Sequence, residues 1–230
     1  MSAPPSGSSD SVFVIRRSLA LLVRHGAAFL AIFAVFHLPP LAFGMALDGD
    51  SSSTPSNSVT LIASILSWSL GGVASALVTV MALGFEAGKP VPFAGVVKQV
   101  RIHILPVLGV GVISGAAISL GLMLLVIPGL IALAFLCLST PVAVMEGRSI
   151  PESIQRSVEL MKDGWQGVGL GVLGVTFIGA IAGWLLLTAL EGASGALMGT
   201  SLYAASSFFG AWTSVATALA FARVTGRIAR

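Results

Sequence analysis

Charge is what this sequence has least of. Only 9% of its 230 residues are Asp, Glu, Lys or Arg, against roughly 25% in ordinary soluble domains. So few charges cannot cover the surface of a soluble fold of this length, so a soluble globular domain is excluded and most of the surface must face lipid. Cysteine is scarcer still. Cys137 stands alone inside an apolar run, which excludes an intramolecular disulfide. With three scattered histidines, it offers no metal-ligand spacing. Catalytic signatures are missing as well: there is no Ser/His/Asp set, no pair of intramembrane carboxylates, no His-Glu-x-x-His and no glycine-rich phosphate loop followed by Lys-Ser/Thr. Neither catalysis nor a cofactor or metal is therefore expected. The net charge of +3 does not point to nucleic acid, because the bases flank apolar runs, where topology and anionic lipid account for them.

What the chain does have is long uncharged stretches. Residues 1–10 are rich in Ser, Pro and Gly and read as a disordered tail, leaving 11–230 as one membrane domain. Runs of about 20 apolar residues cross a ~30 Å hydrocarbon core, and 26–47, 59–85, 166–190 and 203–222 qualify directly. Residues 104–145 carry no charge at all. As one helix they would extend ~63 Å at 1.5 Å per residue, twice the core. They therefore divide into two spans, 104–126 and 127–145, with Ile127-Pro128-Gly129 as the turn. The expected fold is all-α and polytopic, with six transmembrane helices.

All 12 Lys and Arg fall before span one, between spans two and three, between four and five, or after six. The alternate loops carry only Asp48, Asp50 and Glu191. By the positive-inside rule this places both termini in the cytoplasm. A competing reading starts from Ile15-Arg16-Arg17-Ser18-Leu19-Ala20, which resembles a twin-arginine export motif ahead of a small-residue site near Ala42-Phe43-Gly44. The remainder of the chain is itself apolar, and such a protein inserts rather than being exported folded.

The basic segments have helical patterning of their own. Residues 149–163 open with Ser149 and Glu152 in capping-box spacing and repeat Ile150, Ile154, Val158 and Met161 on one face. Residues 11–25 and 93–104 have comparable faces, so three amphipathic interfacial helices are expected on the cytoplasmic side. An interfacial helix followed by a two-span hairpin, three times over, would make a threefold parallel repeat. Its traces are Arg17-Ser18 against Arg156-Ser157, and Glu86 with Gly88-Lys89 against Glu146 with Gly147-Arg148.

Candidate functional residues are few, because no charge lies within any span. A proton- or sodium-coupled carrier usually buries one. His37 is the single ionisable group near mid-span; Pro39 and Pro40 free the carbonyls of Val35 and Phe36, and a neutral imidazole can donate to such a group or to a neighbouring helix. Ser67, Gly71, Ser75 and Thr79 form a four-residue stripe on span two. Ser67, Ser75 and Thr79 read chiefly as helix-packing positions, with a hydroxyl-lined solute path as the sharper alternative. Glu86 and Glu146 end spans two and four, each followed by a base. With Arg148 and Arg156 they form a candidate latch holding the cytoplasmic helices to the span ends.

The stretch from Ile127-Pro128-Gly129 through Pro141 to Glu146-Gly147, and on through Ile150-Pro151-Glu152 to Arg156-Ser157 and Leu160, resembles the membrane domain attached to some glycerophosphoryl diester phosphodiesterases and the related YciC-type bacterial inner-membrane proteins. The resemblance implies a multi-pass inner-membrane fold. In that family the phosphodiesterase activity belongs to a separate soluble barrel, for which these 230 residues leave no room, so no catalytic residue carries over. The functional expectation is a non-catalytic scaffold, lipid-interacting or accessory module, with membrane lipids (anionic headgroups at the basic face), and a membrane protein partner if it is an accessory subunit. The alternative is a permease or channel for a neutral or lipidic solute.

Overall fold

A computed structural model of the chain describes residues 7–47, 57–192 and 195–227. Regular structure among the described residues is entirely helical: α1 (Gly7–Leu47), α2 (Asn57–Glu86), α3 (Phe93–Ile102), α4 (Ile104–Leu124), α5 (Val126–Leu136), α6 (Ser139–Glu146), α7 (Ile150–Gly164), α8 (Leu170–Ala189) and α9 (Gly195–Val224). Six helical stretches are long and apolar enough to cross a membrane. The chain is a multi-pass helical membrane protein.

Several boundaries differ from those the sequence suggests. Residues 7–10, expected to belong to a disordered tail, form the start of α1; residues 1–6 lie outside the described part. Residues 11–25 are not a separate helix, because α1 runs unbroken for 41 residues, ~61 Å at 1.5 Å per residue. The turn between spans three and four falls at Leu125, in extended conformation (φ −158°, ψ 140°). It precedes Ile127-Pro128-Gly129 because Pro128 fits the first turn of α5, where no amide donor is needed. Gly129 then lets the two legs close: a methyl on Gly121 would sit 2.7 Å from the Gly129 Cα. Span four breaks again at Cys137 and Leu138. Pro141 lacks the amide that would bond the Cys137 carbonyl, and the Ser157 hydroxyl donates to the Phe135 carbonyl at 2.7 Å, capping the interrupted end of α5. The helix expected to close at Gly164 instead continues into α8 through a π-helical turn, Trp165–Gly169.

At the centre, α9 packs against α1, α2 and α8, while α2 also carries α4, and α4 carries α5. Close approaches occur at glycines. Gly72 faces Gly111, and methyl groups on Gly111 and Gly115 would lie 2.6 Å from the Trp68 carbonyl and 2.5 Å from the Trp68 ring. Gly71, in the expected stripe, meets nothing within 4 Å; the contact belongs to its neighbour. Gly171 seats α1 through Val14 and the Ser11 backbone, and the Ser11 hydroxyl donates to the Gly167 carbonyl at 2.7 Å.

Candidate functional site

The start of α1 and the ends of α2, α6 and α9 meet at one end of the bundle, the end that carries the bases. The Arg17 guanidinium donates to both Glu86 carboxylate oxygens, at 3.1 and 3.0 Å. The partner of Glu86 is therefore 69 residues away, rather than its sequence neighbour Lys89. Glu86 is nearly enclosed in this pair, whereas Arg17 is half exposed. Glu146 accepts from Arg148 at 2.6 Å and faces Arg156 at 3.8 Å, and Arg156 also reaches Glu159 at 3.5 Å. The structure thus brings Glu146, Arg148 and Arg156 together and places Glu86 in a separate pair.

The most enclosed ion pair among the described residues was not foreseen from sequence. Asp10 accepts from Arg223 at 3.0 and 2.8 Å, with side chains only 4% and 15% exposed, and the guanidinium also lies 4.9 Å from the Phe13 ring centroid. This pair ties the beginning of α1 to the end of α9. The same helices are joined further along, where the Trp212 indole donates to the Ser18 hydroxyl at 2.9 Å. Ser18 and Ser157, the serines of the two Arg-Ser pairs, are both fully buried at helix contacts.

The three even-numbered spans end alike. Gly88, Gly147 and Gly226 take left-handed conformations, with φ of 66°, 67° and 69°, which a residue with a Cβ rarely adopts, and each is followed by a base: Lys89, Arg148 or Arg227. On α7, the Glu152 carboxylate accepts from the Ser149 amide at 3.0 Å, as in a capping box. The buried face of α7 is the row Ser153, Ser157, Met161 and Gly164. Ile154 and Val158 are only half buried beside it.

Two cavities lie on the α2–α9 seam. One, of about 470 Å³, opens at the basic end among Val80, Glu86, Gln99, Met145, Ala222 and Arg227. The other, of about 670 Å³, is a cleft at the far end between α1, α2 and α9, with His37, Thr60, Ser64, Ser67, Tyr203 and Ser206 in its wall. Between them the seam is closed by buried Val73, Leu77, Val215 and Leu219. Of the expected hydroxyl stripe, Ser67 lines the far-end cleft, and neither Ser75 nor Thr79 lines either of these two cavities. Thr79 is fully buried and bonds the Ser75 carbonyl within its own helix at 2.8 Å. His37 leans on Phe33, ring centroids 5.5 Å apart, and the half-buried ring also sits against the Phe33 backbone. The bond that does cross to this stretch of α1 comes from Tyr203, whose hydroxyl donates to the Ala34 carbonyl. Among the described residues, no group of three or more His, Cys, Asp or Glu is placed to hold a metal ion.

Comparison with known proteins finds no matching family model, no matching curated protein and no matching solved structure.

Proposed function

We propose that this chain is a non-catalytic, lipid-interacting module of the bacterial inner membrane, with both termini cytoplasmic and its basic end seated on anionic headgroups. One observation carries the reading. The acids at the basic end are largely consumed by ion pairs or a helix cap, namely Asp10, Glu86, Glu146, Glu159 and Glu152. Arg16, Arg24, Lys89, Lys98, Arg101, Lys162 and Arg227 are exposed there, with no acid partner among the described residues. Bases close to an anionic leaflet contribute about 1 kcal/mol each. The matching ends of the three even-numbered spans support a threefold parallel repeat, which would spread these bases around the cytoplasmic face. Membership of the YciC-type family rests on the motif resemblance.

The test is lipid selectivity. Purified protein is expected to retain phosphatidylglycerol and cardiolipin over neutral lipid, measured by mass spectrometry. The triple substitution Lys89→Gln, Lys98→Gln, Arg101→Gln should lower that enrichment, and high salt should lower it further. Equal retention in wild type and triple variant would remove the reading. A second reading, a permease for a neutral or lipidic solute, is favoured by the two cavities facing opposite ends of one seam. It predicts a solute, rather than a headgroup, that co-purifies in fixed ratio.

A further inference from the structure

The cavity at the basic end is built by what its helices leave out. Gly84, Ala87 and Ala222, at the ends of α2 and α9, contribute little bulk to its wall. The left-handed turn at Gly88 folds the chain back, so that the Lys89 amide donates to the Gly84 carbonyl at 2.9 Å. Val91 then lies over Gly84, where a methyl group would come within 3.3 Å of its side chain. With Val80, Leu83 and Met145 this makes a mostly apolar wall around about 470 Å³, a volume typical of small-molecule sites. Three polar residues join that wall: Glu86, Gln99 and Arg227. Glu86 is already neutralised, because both of its carboxylate oxygens accept from Arg17. Arg227 is placed by a second left-handed glycine, Gly226, after which its own amide donates to the Ala222 carbonyl at 2.8 Å. Its guanidinium lies 5.0 Å from the Phe221 ring centroid, and no acid pairs with it among the described residues. The Gln99 amide reaches only the Val144 carbonyl at 3.5 Å and the Met145 sulfur at 3.6 Å, both too long for a firm bond. The wall thus combines one uncompensated positive charge and one loosely held amide donor with an apolar hollow. A carboxylate or phosphate answers both donors with charge-assisted bonds. A neutral headgroup leaves the guanidinium unanswered, and a wholly polar anion leaves the hollow unfilled.

We propose that this cavity binds one anionic amphiphile, its acidic group on Arg227 and Gln99 and an acyl segment along Val80, Leu83 and Met145. The proposal rests on the basic-face reading for the leaflet it faces, and deepens it by giving one lipid a fixed seat. A bilayer phospholipid and a free fatty acid share this chemistry, so the experiment separates the two sources.

The full chain in phosphatidylcholine nanodiscs is given one of three probes that carry the same acyl diazirine: a free fatty acid, phosphatidylglycerol or phosphatidylcholine. Adducts of at least one anionic probe should map to residues 80–91, Gln99, Met145 and Ala222, at least fivefold above phosphatidylcholine. Whichever anionic probe labels names the source. Arg227→Gln, and Ala87→Phe, which fills the hollow from an exposed position, should each lower that labelling at least fivefold. Should Ala87→Phe fail to fold, Val91→Trp fills the same space from the loop and reads the same loss. The Lys89, Lys98, Arg101 triple variant should keep cavity labelling within twofold of wild type, although it loses the anionic-lipid enrichment of the purified protein. Three results would overturn the seat and leave the basic-face reading standing: no cavity adducts from either anionic probe, equal labelling by all three, or labelling that survives Arg227→Gln and the filled cavity in protein with wild-type thermal unfolding. Full enrichment in the triple variant would instead remove the basic-face reading, while the cavity adducts still decide the seat.

Discussion

From Ala211 to Ala222, α9 buries nearly every side chain against α1, α2 and α8, whereas the tip of the α4–α5 hairpin leaves Met123 87%, Leu124 77% and Ile127 71% exposed. By sequence the hairpin is the more apolar of the two, and α9 is the one rich in Ala, Ser and Thr. In water that order would be reversed. In lipid, tails are as apolar as leucine, so burial is won by small side chains that allow close packing and by polar groups that bond across helices. Trp212 to Ser18 and Arg223 to Asp10 are bonds of that kind. The hairpin has almost none, and it is held by the glycine contacts at Trp68 and at its own tip.

Breaking the α9 side should cost most. Arg223→Ala strands Asp10 as a buried, unpaired carboxylate, and loss of one partner of a buried pair costs about 3–5 kcal/mol. Leu124→Ala at the exposed tip should stay within about 0.5 kcal/mol of wild type. Thermal unfolding in detergent compares them, and similar losses at both sites would erase the contrast. Next comes the α2–α4 contact. Gly111→Leu drives a side chain into the Trp68 carbonyl and should cost about 1–3 kcal/mol, while Gly183→Ala, which meets open space, should be neutral on the same scale. The smallest of the three losses is expected at Glu146, whose arginine partners are each about a third or more exposed. Glu146→Ala should lower stability by up to about 1 kcal/mol, with Glu146→Gln retaining most of it. Full stability of the Gln variant with complete loss of a cellular deletion phenotype would instead give Glu146 a chemical role.

The six apolar stretches were legible because hydrocarbon thickness fixes a length and the chain's charges interrupt it at the right intervals. The break at Cys137 was written in Pro141, but its cap was not, since Ser157 reaches the Phe135 carbonyl only after α7 folds back. Ion-pair partners were the least readable feature. Glu86 has Lys89 beside it in sequence and Arg17 beside it in space. Asp10 looked like part of a polar tail, yet it closes against Arg223 across 213 positions. The far-end cleft had two visible members, His37 and Ser67. Thr60, Ser64, Tyr203 and Ser206 gave no signal, because isolated hydroxyls in apolar spans look the same whether they pack or line a cavity.

The central claim, that one end of this bundle is basic and faces the cytoplasm, is tested most directly by side-specific labelling of single cysteines in a Cys137→Ser background. Ser52→Cys and Gly195→Cys should react with a membrane-impermeant thiol reagent applied to intact cells. Gln99→Cys and Gln155→Cys should react only after the membrane is opened. Labelling of Gln155→Cys from outside intact cells would contradict both the orientation and the six-span arrangement.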